Sequence, residues 1–221
     1  MTFDWLVVWR NLDVFIDGVK LTILLAVATM AIAVPGGIVL AMMRMSGIRV
    51  LAWIATAFVE LFRNVPLILV IYMAYYVLPV MSGLSASPLM TGLIALSLNV
   101  SAYNGETFRA GIASIRKGQF WAASALGMSL LQSLRTVILP QAIVRMLPAF
   151  GSVISIAIKD TAIASVIAVP EYMNRSQTVA GQSFHPIEVF TVAMAVYFVI
   201  LFPVTRVVDI VYVRLAHLGR S

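Results

Sequence analysis

The chain has 221 residues, 62% of them hydrophobic and 11% charged, with a mean hydropathy of +1.00 and a formal net charge of +6. A soluble domain carries roughly 45–50% apolar and about 25% charged residues, so this composition excludes a water-soluble fold and places the chain in a membrane. The absence of cysteine excludes disulfides and thiolate metal sites. No basic run with interleaved aromatics exists, so nucleic acid is not expected as a partner.

The hydropathy breaks predict an all-α integral membrane protein with a single transmembrane domain over residues 1–221. A spanning helix takes about 20 apolar residues, and five such segments are expected. Residues 1–18 carry Asp4, Asp13 and Asp17 against Arg10 and read as an amphipathic lead-in, their acidic start being unlike a secretory signal. The first span is placed at 19–43. It contains Pro35, Gly36 and Gly37, tolerable where neighbouring helices cover a kink. The second is placed at 51–80, interrupted by Glu60, Arg63, Asn64 and Pro66. It exceeds one bilayer thickness at about 1.5 Å per residue, so its early part should project from the membrane. The third is placed at 88–108, followed by a polar segment over 109–140. The fourth is placed at 147–169, with Lys159 and Asp160 within it, then a loop over 170–186, a fifth span over 187–213 and a basic tail.

Charge sets the orientation. With the polar segment and the C-terminus cytoplasmic, Arg44, Arg49, Arg63, Arg109, Arg116, Lys117, Arg135, Arg145, Arg206, Arg214 and Arg220 lie at the inner face. Only Arg10, Lys20 and Arg175 lie outside, which is the bias of inner-face loops. The N-terminus is then outside.

The segment 109–140 is the one long polar interruption in a nearly hydrocarbon chain, and it reads as a docking surface for a soluble partner. Within it Gly118, Gln119, Ala122, Ala123, Ala125, Leu126, Gly127 and Ser129 precede Val137, Ile138, Leu139 and Pro140. This spacing resembles the coupling loop of binding-protein-dependent ABC importer permeases. The runs Val59-Glu60-Leu61-Phe62-Arg63 with Pro66-Leu67, Glu106 to Gln119, Lys159-Asp160-Thr161 and Val169-Pro170-Glu171 are similar to the polar amino acid branch of that family, over roughly residues 18–213.

The resemblance implies a type I importer permease fold with a cytoplasmic coupling helix between spans three and four. It implies two ABC ATPase subunits that bind ATP and Mg, a second permease copy or sister permease, and an external solute-binding protein. It also implies a bacterial inner membrane location, with no cofactor in this chain itself. Coupling to the ATPase falls to Gly118, Gln119, Trp121, Ala122, Ala123 and Gly127. The small residues allow close docking, and Leu139-Pro140 is expected to stop the helix. Trp121 stands where the family usually has glutamate. It cannot pair with a basic residue, but it can fill an apolar notch.

Ionisable residues at membrane depth are functional candidates. Asn99 on the third span and Lys159 and Asp160 on the fourth are expected to line a polar cavity. Tyr103, Ser155 and Thr161 complete the candidate substrate-binding set, although such residues also bridge packed helices. Glu60 with Arg63 and Glu106 with Arg109, each three apart, are expected as structural ion pairs. His185 and His217 have no second ligand at metal-binding spacing, so no metal site is expected.

No phosphate loop or nucleophile elbow is present, so the chain is not expected to be an enzyme. The reading is a permease subunit for a polar amino acid, leaning to an acidic or zwitterionic one because Lys159 accompanies Asp160. Alternatives are an ion-coupled secondary carrier, a permease for an opine-like solute, or a non-transporting scaffold. The multi-pass carrier would be expected to show inverted halves, and the scaffold would have no use for mid-membrane charge.

Overall fold

The computed structural model describes residues 3–83 and 85–218, and among them all regular structure is helical. Arg220 and the side chain of His217 lie outside the described residues. A short helix α1 (Leu6–Arg10) leads into α2 (Leu12–Met45), so the first long helix begins well before residue 19. It is followed by α3 (Arg49–Asn64), α4 (Leu67–Tyr72), a π-turn (Met73–Val77) and α5 (Leu78–Ser82).

The central helix α6 (Pro88–Ala113) starts with Ser87 accepting the Met90 N–H and Pro88 in the first turn. Both are ordinary ways to begin a helix. The chain then forms α7 (Lys117–Ala125), α8 (Leu130–Ser133), a second π-turn (Leu134–Ile138), α9 (Leu139–Asp160) and a 3₁₀ segment (Thr161–Ile167). It ends with α10 (Tyr172–Ser183) and α11 (Pro186–Leu218). The expected loop over 170–186 is therefore mostly helix, capped by the Glu171 side chain.

By length and composition, three helical stretches can cross a membrane: Leu12–Met45, Leu130–Ile167 and Pro186–Leu215. A fourth arises if Arg49–Asn64 and Leu67–Ser82, bent by 107° at their junction, form one broken span. The single rod expected over 51–80 is thus two helices. The bend has a local cause: Val65 precedes Pro66 and is extended at φ −92°, ψ 131°, as a residue before proline prefers.

Helix α6 is long enough to cross, at about 39 Å for 26 residues, but it is too polar to be recognised by hydropathy. Its Thr91, Ser97, Asn99, Ser101 and Asn104 are all buried. Other helices cover it, and α2 lies closest. A Cβ on Gly36 would meet Ser101 Oγ at 2.6 Å, and one on Gly37 would meet Asn104 Cβ at 2.5 Å. Only glycine lets the two helices approach this closely.

Proline does not stop the helix at Leu139-Pro140. Pro140 lies in the first turn of α9, immediately after the π-turn over 134–138. Pro79 stands in the same relation to the π-turn over 73–77. A proline ring clashes with the carbonyl four residues earlier, and widening the preceding turn moves that carbonyl aside. The helix continues.

Near one end of the bundle, buried Glu171 ties three helices together. Its carboxylate accepts from the Met173 and Asn174 N–H groups, from Thr22 Oγ1 on α2 and from Tyr197 OH on α11. Burial pushes its carboxyl above the ordinary value of 4.5, while the four donors pull it down. A carboxyl raised in the folded state binds its proton more readily there than in the unfolded chain. Its stabilising contribution is therefore full below pH 4.5 and declines as pH rises through the folded value. Thermal unfolding in detergent should show this pH dependence flattened in Glu171→Gln. Glu171→Ala, which orphans four donors, should lose about 2–3 kcal/mol. An unchanged melting temperature in both would show that the network carries no stability.

Candidate functional site

Two polar clefts open on the described bundle. The inner one, of about 350 Å³, lies where α3, α6 and α9 meet and is lined by Arg63, Tyr103, Glu106, Thr107, Ser114 and Arg145, among others. Arg63 lies over the Tyr103 ring, 5.7 Å from its centroid, close enough for a cation–π contact. Arg145 Nη1 donates to the Ser114 carbonyl at the end of α6 at 2.5 Å. Glu106 is held by two arginines. Arg109 donates through Nη2 to Oε1 at 2.5 Å and through Nε to Oε2 at 3.0 Å, and Arg44 of α2 donates to Oε2 as well. The carboxylate is committed to those two partners, so Arg63 and Arg145 give the cleft an excess of positive charge.

The second cleft, of about 400 Å³, lies between α9 and α11. Ser152, Ser155 and Lys159 form one wall and Thr205 and Asp209 the other. Arg145, Ser152 and Lys159 are all exposed on α9 and are spaced seven apart. Seven residues is close to two helical turns, so one polar stripe runs through both clefts. This heptad spacing was visible in the sequence and would have identified Arg145. Arg44 carries no comparable signal, because its partner Glu106 is distant in the chain, whereas Asp209 lies 3.9 Å from Arg206, three residues before it.

The expected substrate-binding residues are distributed among separate environments. Tyr103 lines the inner cleft, and Ser155 and Lys159 the second, with Ser155 Oγ donating back to the Gly151 carbonyl. Asp160 is half-buried at the end of α9, and Thr161 is buried with its hydroxyl on the Ile158 carbonyl. Asn99 is buried and donates to the Phe62 carbonyl at 2.7 Å. Neither Asn99 nor Asp160 lines either cleft, so this chain alone does not bring them into one cavity. Glu60 and Arg63 do not pair among the described residues. Glu60 accepts from Asn64 Nδ2 at 2.9 Å, while Arg63 turns to Tyr103. Glu106 and Arg109 are paired, with Arg44 as a third member. His185 Nδ1 lies 3.3 Å from Glu188.

The hairpin of α7 and α8 stands on a small apolar base. Ile115, Ile138 and Ala142 are buried, with Ile112, Phe120, Leu134, Val137 and Met146 against them. Gln141 Nε2 reaches Gln119 at 3.2 Å. Ala123 is buried, whereas Ala122 and Trp121 are exposed, Trp121 to 71%. Gly127 turns the chain at φ +72°, and neither it nor Gly118 has a neighbour within 4 Å of an added Cβ. Ser129 and Gln132 then form a reciprocal capping box that starts α8. With Leu126, Leu130 and Leu131 also exposed, the tip presents an apolar surface.

Comparison with known proteins settles the family. Residues 33–218 match the family described as binding-protein-dependent transport system inner membrane component. The chain belongs to this family. The permease is 34% identical over 205 residues to the glutamate/aspartate import permease protein GltK of Escherichia coli O6:H1, covering 90% of this chain and 92% of that one. It is 34% identical over 214 residues to the octopine transport system permease protein OccM of Rhizobium meliloti, covering 93% and 87% respectively. Among solved structures, the permease superposes on a chain of an amino acid ABC transporter crystallised with histidines. That match has a TM-score of 0.91 and 31% identity, over 97% of this chain and all of the other. A chain of the MetNI methionine ABC transporter shares the fold at TM-score 0.73 and 17% identity, over 94% and 96%.

The charged cluster beneath the inner cleft predicts a stability effect. Glu106→Ala leaves Arg44 and Arg109 with no carboxylate in a half-buried setting, and should cost about 1–2 kcal/mol. Thermal unfolding of the detergent-solubilised permease measures this. A melting temperature equal to wild type would mean that the arginines find equivalent partners elsewhere.

Proposed function

We propose that this permease is the transmembrane subunit of an ATP-driven, binding-protein-dependent importer of a polar amino acid. Five segments cross the membrane in this reading, counting α6 and the broken pair α3 with α4–α5, with the N-terminus outside and the C-terminus cytoplasmic. Two ATPase subunits supply ATP hydrolysis with Mg. A second copy or a sister permease completes the path, and an external solute-binding protein delivers substrate. The observation that carries this reading is the exposed apolar hairpin tip on its rigid base, in a chain of this family. It is the surface on which a soluble motor can push, and the base connects it directly to α6 and α9.

The mechanism follows from that connection. Motion of a partner seated on Trp121, Ala122 and Gly127 is carried through Phe120 and Ile115 to α6, and through Ile138 and Ala142 to α9. These helices form walls of the inner cleft, so displacement of the hairpin changes the width of that cleft. Substrate recognition leans to an acidic or zwitterionic amino acid. Within the inner cleft, Arg63 and Arg145 are spare positive charges, and in the second Lys159 faces Asp209. Similarity to GltK favours the same lean. Similarity to OccM supports an opine as the second reading, since an opine presents carboxylates of the same kind.

Reconstitution of the permease with its ATPase and binding protein in liposomes tests the reading. Uptake should require ATP, and glutamate or aspartate should compete better than lysine or arginine. Uptake driven by an ion gradient without ATP would instead establish a secondary carrier. In the same assay Gly127→Leu should uncouple hydrolysis from uptake or prevent assembly. A β-carbon is disfavoured at φ +72°, and the added bulk would sit in the docking surface. Wild-type coupling in that variant would remove the hairpin from the mechanism.

A further inference from the structure

Asn99 is buried in the most enclosed helix of the fold, and its amide is used in an unusual way. The Phe62 carbonyl, one turn before the break between α3 and α4, would in a continuous helix accept from residue 66. That residue is Pro66, which has no N–H, and the extended Val65 turns the chain away in any case. Asn99 Nδ2 donates to the orphaned carbonyl from the neighbouring helix, at 2.7 Å. Four residues along the same face of α6, the Tyr103 ring receives the guanidinium of Arg63. Two successive contacts on one face of α6 thus hold two successive residues of α3, one by its backbone and the other by its side chain.

We propose that Asn99 is a positioning residue: by completing the last turn of α3 it maintains the bend at Pro66 and holds Arg63 in the inner cleft. The inference rests on the reading of that cleft as part of the amino acid path. It assigns Asn99 to the path's architecture in place of substrate contact. The bent arrangement is favoured in two ways. In a straight helix the Pro66 ring would collide with the Phe62 carbonyl, and in the bent form Asn99 satisfies that carbonyl. The second is a hydrogen bond from a buried amide, whose loss leaves both groups short of a partner. A leucine at position 99 has nearly the same shape but no donor, so it cannot replace the amide.

The naturally cysteine-free chain allows a direct measurement. Spin labels on cysteines replacing Trp53 and Val80, which are 73% and 85% exposed, report the angle between α3 and α5. At 107° the two backbones are about 23 Å apart, against about 39 Å if the helices were collinear. The wild-type background should give one narrow distance near the shorter value. Asn99→Ala and Asn99→Leu should both broaden it toward longer separations and reduce ATP-dependent uptake about tenfold. In an Arg63→Ala background, Asn99→Ala should cost little further uptake, because both changes act through the same group. If Asn99→Ala fails to accumulate in the membrane, the near-isosteric Asn99→Leu carries the same comparison.

Reduced uptake with an unchanged distance distribution would overturn the proposal in favour of direct substrate contact. Wild-type distances and uptake in both variants would overturn it outright, as would fully additive losses in the Arg63→Ala background. Absence of ATP-dependent uptake in the wild type would instead refute the importer reading, and leave the distance measurement standing.

Discussion

A polar helix has to be hidden from lipid, and the rest of this fold is arranged around that requirement. Helix α6 carries five buried polar side chains between Thr91 and Asn104, each of which would be costly against hydrocarbon. Helix α2 runs alongside it at glycine-permitted distance. Helix α3 crosses it near Ala102, where Leu40, Ala55 and Val59 pack. Helix α4 and the 3₁₀ segment close its other end around Leu96. Each covering helix in turn offers an apolar face outward, which explains why large apolar residues such as Leu24, Trp53 and Met194 are exposed. The chain is built with a polar centre and a greasy surface, as a bilayer solvent requires.

Prolines then set where the covering helices bend. At Pro79 and Pro140 a π-turn absorbs the ring and the helix runs on. At Pro66 no such turn forms, and the chain breaks by 107°. The difference lies in what is available to the displaced carbonyls. Near Pro66 a neighbouring helix supplies Asn99 as a donor, so a full break leaves the Phe62 carbonyl satisfied. A break in a membrane is tolerable only where protein meets the freed backbone groups.

Much of this was legible in the sequence. Composition gave the membrane class, hydropathy marked long apolar stretches that fall within α2 and α11, and the small-residue spacing marked the hairpin. The third span, placed at 88–108, falls within α6 even though the apolar content of that helix is low for a spanning helix. Side-chain partners that depend on distant parts of the chain were not legible. The spacing of Glu60 and Arg63 permits a pair, yet Tyr103 of another helix outcompetes Glu60 for the guanidinium. Glu106 and Arg109 show the same spacing and do pair, with Arg44 arriving from 62 residues away. Spacing fixes which groups share a face, and tertiary packing decides which of them meet. The short helix α10 escaped for a related reason: its sequence is polar and its cap, Glu171, is satisfied partly by Thr22 and Tyr197 of other helices.

The placement of the charged cluster connects these points. Arg44 lies in the last turn of α2, Arg109 lies near the C-terminal end of α6, and Glu106 between them ties the two helices where the Arg63 cleft opens. A little further along α6, Ile112 and Ile115 enter the apolar base of the hairpin. The same stretch of one helix therefore carries, in order, the Asn99 contact to α3, the Tyr103 contact to Arg63, the ion cluster to α2 and the hairpin base. A rigid helix cannot move at one of these positions without moving at the others. The contacts along α6 thus join the hairpin base to the bend at Pro66, and the cleft wall that carries Arg63 is the part of α3 nearest to that bend.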